Sequence, residues 1–133
     1  MQKRFPRAFD ALADVFRFAD DFLAVEQVDP RHHYAVHFAL EEVFTNLVKY
    51  NPGSRQEILV GLDRASDRLL ITLTDFDATP YDMTRAPERR TDVSIEERQP
   101  GGLGLQLTRR LMDDMDYESN GRQSRITLTR MLR

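Results

Sequence analysis

The strongest constraint on the fold is a long amphipathic helix predicted between Asp29 and Tyr50. Asp29 followed by Pro30 is typical of a helix start, with an N-cap residue before a proline at the first helical position. The segment 51–53, Asn-Pro-Gly, ends the helix. Its apolar residues recur at spacings of three and four and form one stripe: Val36, Leu40, Val43 and Leu47. This face must pack against a second layer.

Polar residues follow one flank of that stripe. Helical geometry places Glu42 and Asn46 one turn apart, with Lys49 beside them. These residues alone are typical of a solvated helix rim. A second signal lies much later in the chain, where the glycine-rich stretch 101–105 opens another helix. The two signals together indicate a functional site.

Length and composition restrict the class of protein. The 133 residues, 41% hydrophobic and 31% charged, are typical of one soluble globular domain. Apolar runs are too short to cross a bilayer, and the charged start lacks the apolar core of a signal peptide. The absence of cysteine excludes disulfides and thiolate metal sites and fits a cytoplasmic protein. A net charge of −3 gives no broad attraction to nucleic acid. We therefore expect no membrane and no direct nucleic-acid partner.

The N-terminal quarter predicts an edge strand and a helix. Residues 2–6 form a short strand that stops at Pro6. From Ala8 to about Val25 the sequence predicts a helix, whose core-facing stripe is Phe9, Leu12, Phe16, Ala19 and Leu23. Three apolar residues lie off this stripe and are available for a partner contact: Val15, Phe18 and Phe22.

The second half of the chain predicts two hairpins around a third helix. Strands over 57–62 and 69–74 form the first hairpin, which ends in Asp75, and strands over 116–118 and 125–132 form the second. The turn Asn120-Gly121 joins the second pair. Between the hairpins, a helix over 103–112 directs three residues to the core: Leu103, Leu107 and Leu111. The element order predicts an α+β two-layer sandwich, a mostly antiparallel sheet covered on one face by helices.

Two segments allow more than one interpretation. Residues 76–100 form a connection long enough to be either disordered or a functional lid. On the predicted long helix, His33, His37 and Glu41 lie on successive turns, a spacing that suits a metal ion. No fourth ligand is evident, so ordinary surface histidines are favoured.

Three motifs together resemble the GHKL (Bergerat-fold) ATPase/kinase superfamily. Residues 42–50, Glu-Val-Phe-Thr-Asn-Leu-Val-Lys-Tyr, resemble its N box, Asp75 at a strand end resembles the acid of its G1 box, and residues 102–113 resemble its G2 box and helix. The small size and the Glu-x-x-x-Asn spacing are most similar to the anti-sigma-factor serine kinases of the RsbW/SpoIIAB-like group. The resemblance covers residue 8 to the end. It implies a single GHKL ATP-binding domain over 1–133, with an ATP lid at 76–102.

The resemblance implies roles for residues of the N box and of the G1 box. Asn46 matches the position that binds Mg²⁺ through its side-chain oxygen, and Glu42 matches the general base toward a serine hydroxyl. Lys49 is near enough to help neutralise phosphate, or is simply a solvated charge. Asp75 matches the acid that accepts a hydrogen bond from the exocyclic amine of adenine.

The resemblance also assigns the phosphate contacts to the G2 box. Gly102 and Gly104 would let backbone N–H groups approach phosphate where a helix starts at Leu103 and its dipole favours anions. The same glycines are equally consistent with a tight turn. One departure is Asp77, which occupies the position of the usual G1 glycine. Its side chain and charge are expected to reduce nucleotide affinity, unless the loop goes around them, as in relatives with a segment like residues 80–82, Pro-Tyr-Asp.

The function implied is an ATP-dependent protein serine kinase that also holds a sigma factor. Its substrate would be a STAS-domain anti-sigma antagonist, and homodimers are usual in such a group. ATP and Mg²⁺ are the implied cofactors. The alternative, favoured by the altered G1 box, is a nucleotide-sensing or partner-docking module of the same fold without phosphoryl transfer.

Overall fold

The computed structural model describes residues 1–51, 54–77 and 102–133. The strands are β1 Gln2–Phe5, β2 Ile58–Ala65, β3 Arg68–Asp75, β4 Asp114–Ser119 and β5 Ser124–Met131, and the α-helices are α1 Leu12–Val25, α2 His33–Tyr50 and α3 Gly102–Leu111. Short 3₁₀ turns, Phe9–Ala11 and Pro30–His32, precede α1 and α2. None of the helices in these ranges is long and apolar enough to cross a membrane. The predicted lid lies mostly outside the described residues, which include only its ends at 76–77 and 102.

The strands form one five-stranded sheet in the order β1-β2-β3-β5-β4, with every neighbouring pair antiparallel. α2 packs between α1 and α3 on one face of this sheet. Alternate residues of the central strands point into the core, as the period of a half-buried strand requires: Ile58, Val60, Leu62, Leu69, Ile71, Leu73, Ile126 and Leu128. The predicted two-layer α+β fold is confirmed.

α2 is the central helix of the covering layer, and its prediction is confirmed. Asp29 caps the preceding 3₁₀ turn by accepting a hydrogen bond from the backbone N–H of Arg31 (3.0 Å), and Pro30 is the first residue of that turn. The helix ends at Tyr50, as predicted. The predicted stripe faces the core together with four further apolar residues: Ala35, Ala39, Phe44 and Val48.

The predicted buried face of α1 is wrong in part. Phe9 is exposed, and Phe16 is half-buried against the ring of His37, with ring centroids 5.1 Å apart. Val15 and Phe22, which were assigned to a partner contact, are fully buried. The buried face of α1 is formed by Val15, Ala19, Phe22 and Leu23, so the predicted stripe was placed too far toward Phe16.

The predicted core face of α3 is also wrong. Leu103 is 50% exposed and Leu107 is 38% exposed, while Leu111 only packs at the edge of the core. The buried residues of this segment are instead Leu105, Thr108 and Met112. The Thr108 hydroxyl donates to the carbonyl of Gly104 (2.9 Å), so burying this polar side chain leaves no unsatisfied donor.

Candidate functional site

Asn46 lies at the centre of the candidate site. Its side chain is fully buried on α2, and its Nδ2 atom donates to the backbone carbonyl of Glu42, one turn earlier. This bond assigns the two amide atoms, because exchanging them would set two oxygens against each other. The remaining atom, Oδ1, has no hydrogen-bond partner among the described residues. A buried amide oxygen without a partner is uncommon and is a ligand that a hard cation prefers.

Glu42 contacts the start of α3. A Cβ atom built on Gly104 would lie 1.9 Å from Glu42 Oε2 and 2.2 Å from its Cδ. The carboxylate therefore occupies the space that any side chain at position 104 would need. The structure thus gives a steric reason for glycine at this position, the close approach of α2 to α3, which was not among the predicted roles.

Charges around Glu42 shift its proton affinity. Burial raises the pKa of Glu42 above its ordinary value, and the negative charge of Glu41 adds to this rise, while the cation of Lys49 partly opposes it. Lys49 itself is exposed at the end of α2. A carboxylate with a raised pKa is a stronger base, and it lies one helical turn from the unpartnered oxygen of Asn46.

Asp75 is buried at the end of β3 in an ion pair that the sequence analysis missed. Arg7 Nη1 donates to Asp75 Oδ2 (3.1 Å), and Arg7 Nη2 donates to Asp75 Oδ1. Both side chains are almost inaccessible to solvent, at 2% and 5% exposure. Removing one partner of such a buried pair costs about 3–5 kcal/mol. No motif marked Arg7, since the two residues are far apart in sequence and only the fold brings them together.

Asp77 adopts a turn that needs no glycine. Its backbone N–H donates to Asp75 Oδ1 (3.0 Å), as in an Asx turn, and its carbonyl accepts from Asn51 Nδ2. Among the described non-glycine residues only Gln27 has a positive φ, of 52°. The missing G1 glycine therefore introduces no backbone strain at this position, and the Asp77 side chain is exposed.

Both histidines considered for a metal site have other contacts. His33 Nε2 lies 3.0 Å from the carbonyl of Val28, and His37 Nε2 lies 2.7 Å from Asp20 Oδ1. No group of three or more histidine, cysteine or acidic side chains suited to a metal occurs within the described ranges.

The fold thus brings the predicted residues to two neighbouring places. Glu42, Asn46 and Gly104 meet where α2 passes the start of α3, with Leu103 on the exposed side of that helix. Asp75 lies at the end of β3. The residues present at the first place fit a divalent cation, because a buried amide oxygen there has no other described partner.

The chain belongs to the histidine kinase-like ATPase domain family, whose sequence profile matches residues 5–130. Among curated proteins it is similar to the serine/threonine-protein kinase BtrW of Bordetella bronchiseptica. The two are 28% identical over 101 residues, which cover 74% of this chain and 70% of the relative. The predicted membership of the GHKL superfamily is confirmed.

Two solved structures share the fold. A chain in the crystal structure of the SiaB–SiaC complex from Pseudomonas aeruginosa has a TM-score of 0.62 at 15% identity, covering 98% of this chain and 89% of that chain. The histidine kinase AdeS of Acinetobacter baumannii has a TM-score of 0.52 at 16% identity, covering 99% of this chain and 68% of that chain.

Proposed function

We propose that this protein is an ATP-dependent protein serine kinase and anti-sigma factor of a partner-switching system. The observation that carries the proposal is the buried oxygen of Asn46, which has no partner in the described part of the chain and lies one helical turn from a carboxylate of raised pKa. A cation ligand and a general base in this arrangement are what phosphoryl transfer to a hydroxyl needs. Family membership and the similarity to a serine/threonine kinase support the same reaction class.

In the proposed mechanism Glu42 accepts the proton of the substrate serine. The serine oxygen attacks the γ-phosphorus of ATP, the bond from that phosphorus to the β–γ bridging oxygen breaks, and ADP leaves. The raised pKa of Glu42 brings it closer to the operating pH, which favours proton transfer. Bound Mg²⁺ would neutralise phosphate charge, and Asn46 Oδ1 is the residue atom proposed to hold it.

The remaining predicted residues bind the nucleotide in this proposal. Asp75 accepts a hydrogen bond from the exocyclic amine of adenine. Backbone N–H groups at Gly102, Leu103 and Gly104 receive phosphate where the dipole of α3 favours anions. Lys49, which is exposed and close enough to affect the Glu42 carboxylate, adds positive charge at the same end of α2.

The proposed partners are a sigma factor and a STAS-domain anti-sigma antagonist, which is the phosphorylated substrate. One structure with the same fold is that of a complex between two proteins, SiaB and SiaC, which supports a role in partner binding. A cytoplasmic location and a homodimer complete the proposal. Neither direct nucleic-acid binding nor a membrane contact is part of it.

The second candidate is a partner-docking module of the same fold that transfers no phosphate. The buried pair of Arg7 and Asp75 favours it, because the acid assigned to adenine already has a cationic partner. An aspartate at position 77 instead of glycine is the second argument.

Mg-ATP binding by calorimetry separates the two candidates. We expect magnesium-dependent binding by the unchanged protein. In Asn46→Ala the affinity should fall at least about tenfold, because the magnesium ion loses the contact with Asn46 Oδ1. Thr45→Ala is the matched control: it is the preceding residue, and its hydroxyl donates to the helix carbonyls of Glu41 (2.7 Å) and Glu42 (3.3 Å). No binding by the unchanged protein would favour the docking module.

The transfer step is tested with purified STAS-domain proteins of the same organism and radiolabelled ATP. We expect one of them to be labelled on serine, and Glu42→Ala to abolish labelling while retaining Mg-ATP binding. Equal labelling by Glu42→Ala would refute the assignment of the base.

A further inference from the structure

Arg7 connects the candidate adenine acid to two other parts of the chain. Besides its two bonds to Asp75, its Nη1 atom donates to the carbonyl of Leu47 on α2 (3.1 Å) and its Nε atom donates to the carbonyl of Gln56 before β2 (3.2 Å). The guanidinium is therefore held by backbone carbonyls on one side and by a carboxylate on the other. An arginine fixed in this way does not leave its place without losing all of these bonds.

The pair fixes the orientation of the Asp75 carboxylate. A guanidinium bound to both carboxylate oxygens restricts the carboxylate to one plane, a geometry that lysine does not reproduce. A carboxylate accepts hydrogen bonds and does not donate them.

The two carboxylate oxygens of Asp75 differ in how many further hydrogen bonds they can accept. Oδ1 accepts from Arg7 Nη2 and from the Asp77 backbone N–H, which together fill its two lone-pair positions. Oδ2 accepts only from Arg7 Nη1 among the described residues. One acceptor position on Oδ2 is thus left, and Arg7 determines which oxygen offers it.

We propose that Arg7 is a positioning residue that sets the base specificity of the nucleotide site. It acts through Asp75, which it orients so that Oδ2 is available to an exocyclic amine. This inference rests on the proposed function, in which Asp75 receives adenine. A purine with a carbonyl in place of the amine presents an oxygen to a carboxylate that has no proton to donate, so the site rejects it.

The experiment compares Mg-ATP with Mg-ITP, in which a carbonyl replaces the amine of adenine. For the unchanged protein we expect ATP to bind at least about 100-fold more tightly, because a site built for an N–H donor discriminates strongly against its loss. In Arg7→Lys and Arg7→Gln the ratio should fall to about tenfold or less, chiefly through weaker ATP binding. Arg7→Lys keeps a cation and serves where Arg7→Gln does not fold.

A matched control separates specificity from stability. Arg130 also bridges elements, since its Nε atom donates to His32 Nδ1 (3.0 Å) and its Nη1 atom donates to the carbonyl of Leu111. Arg130→Gln should lower the melting temperature and leave the ATP/ITP ratio unchanged. In an Asp75→Asn background, Arg7→Lys should cause no further change in that ratio.

Three results would overturn the proposal. An unchanged ATP/ITP ratio in both Arg7 variants would mean that Arg7 only stabilises the fold. Tighter ATP binding in either variant would mean that Arg7 blocks the base. Absence of ATP binding by the unchanged protein would refute the proposed function as well, whereas the first two results leave that function intact.

Discussion

Replacing Gly104 by alanine should separate catalysis from folding. The added Cβ would lie 1.9 Å from Glu42 Oε2, whereas ordinary van der Waals contact begins at 3.4 Å. The carboxylate oxygen must therefore move away by about 1.5 Å to reach ordinary contact distance from the new Cβ atom. Because the clash involves the end of a side chain, Glu42 can move without unfolding the protein.

The expected effects on stability and on rate have different sizes. Alanine is the better helix former by about 0.5–1 kcal/mol in a helix interior, which offsets part of the cost of moving Glu42. We expect the free energy of unfolding of Gly104→Ala to stay within about 1 kcal/mol of the unchanged protein. A catalytic group misplaced by about 1 Å loses roughly 100-fold in rate, so phosphoryl transfer should fall by that factor or more.

The assay is the rate of serine phosphorylation at saturating Mg-ATP, with urea unfolding on the same samples. Gly61→Ala is the control, because its Cβ would lie 2.4 Å from Thr72 Oγ1 on the sheet. It should disturb packing without lowering the rate per folded molecule. A Gly104→Ala protein that works within threefold of the unchanged rate would refute the steric argument.

Three further predictions concern protonation. The transfer rate should rise with pH through a pKa above the ordinary glutamate value of 4.5. In pH–rate profiles this apparent pKa should be higher in Lys49→Met and lower in Glu41→Gln. Because the raised pKa makes the folded state bind more protons above pH 4.5, Glu42→Gln should be more stable than the unchanged protein at neutral pH in urea unfolding, with the difference vanishing below that value. Burial and Arg130 lower the pKa of His32 below 6.5, so the free energy of unfolding should fall as the pH drops below 6.5. A weaker pH dependence of this free energy in His32→Gln would confirm that His32 is the cause, and an equal slope would contradict it.

The fold was predictable where one local pattern dominated. α2 has a start signal, a stop signal and an apolar stripe that agree, and its bounds were predicted to the residue at Tyr50. The strands alternate between core and surface, so their pairing into antiparallel hairpins followed from spacing alone.

The failures arose where side chains compete for one core. Phe9 lies in the 3₁₀ turn before α1 and is exposed, and the apolar side of α1 that meets the sheet includes Val15 and Phe22. On α3 the close contact of Gly104 with α2 orients the helix, so that Leu105 lies inside and Leu103 outside. The four-residue spacing of Leu103, Leu107 and Leu111 does not contain that information.

The candidate site divides in the same way. Helical spacing predicted that Glu42 and Asn46 share one flank of α2, since both lie on one element, and their roles were implied by the family resemblance. The buried ion pair of Arg7 and Asp75 was not, because it depends on a contact between residues distant in the chain. Such pairs are set by tertiary structure and leave no local signal.

The buried pair of Arg7 and Asp75 also constrains how this sequence can change during evolution. Loss of either partner leaves an unpaired charge in the interior, so a single substitution at one position is selected against even where the other function of that residue is dispensable. Related sequences should therefore vary at the two positions together or at neither, which makes the pair a detectable covariation between the first turn after β1 and the end of β3.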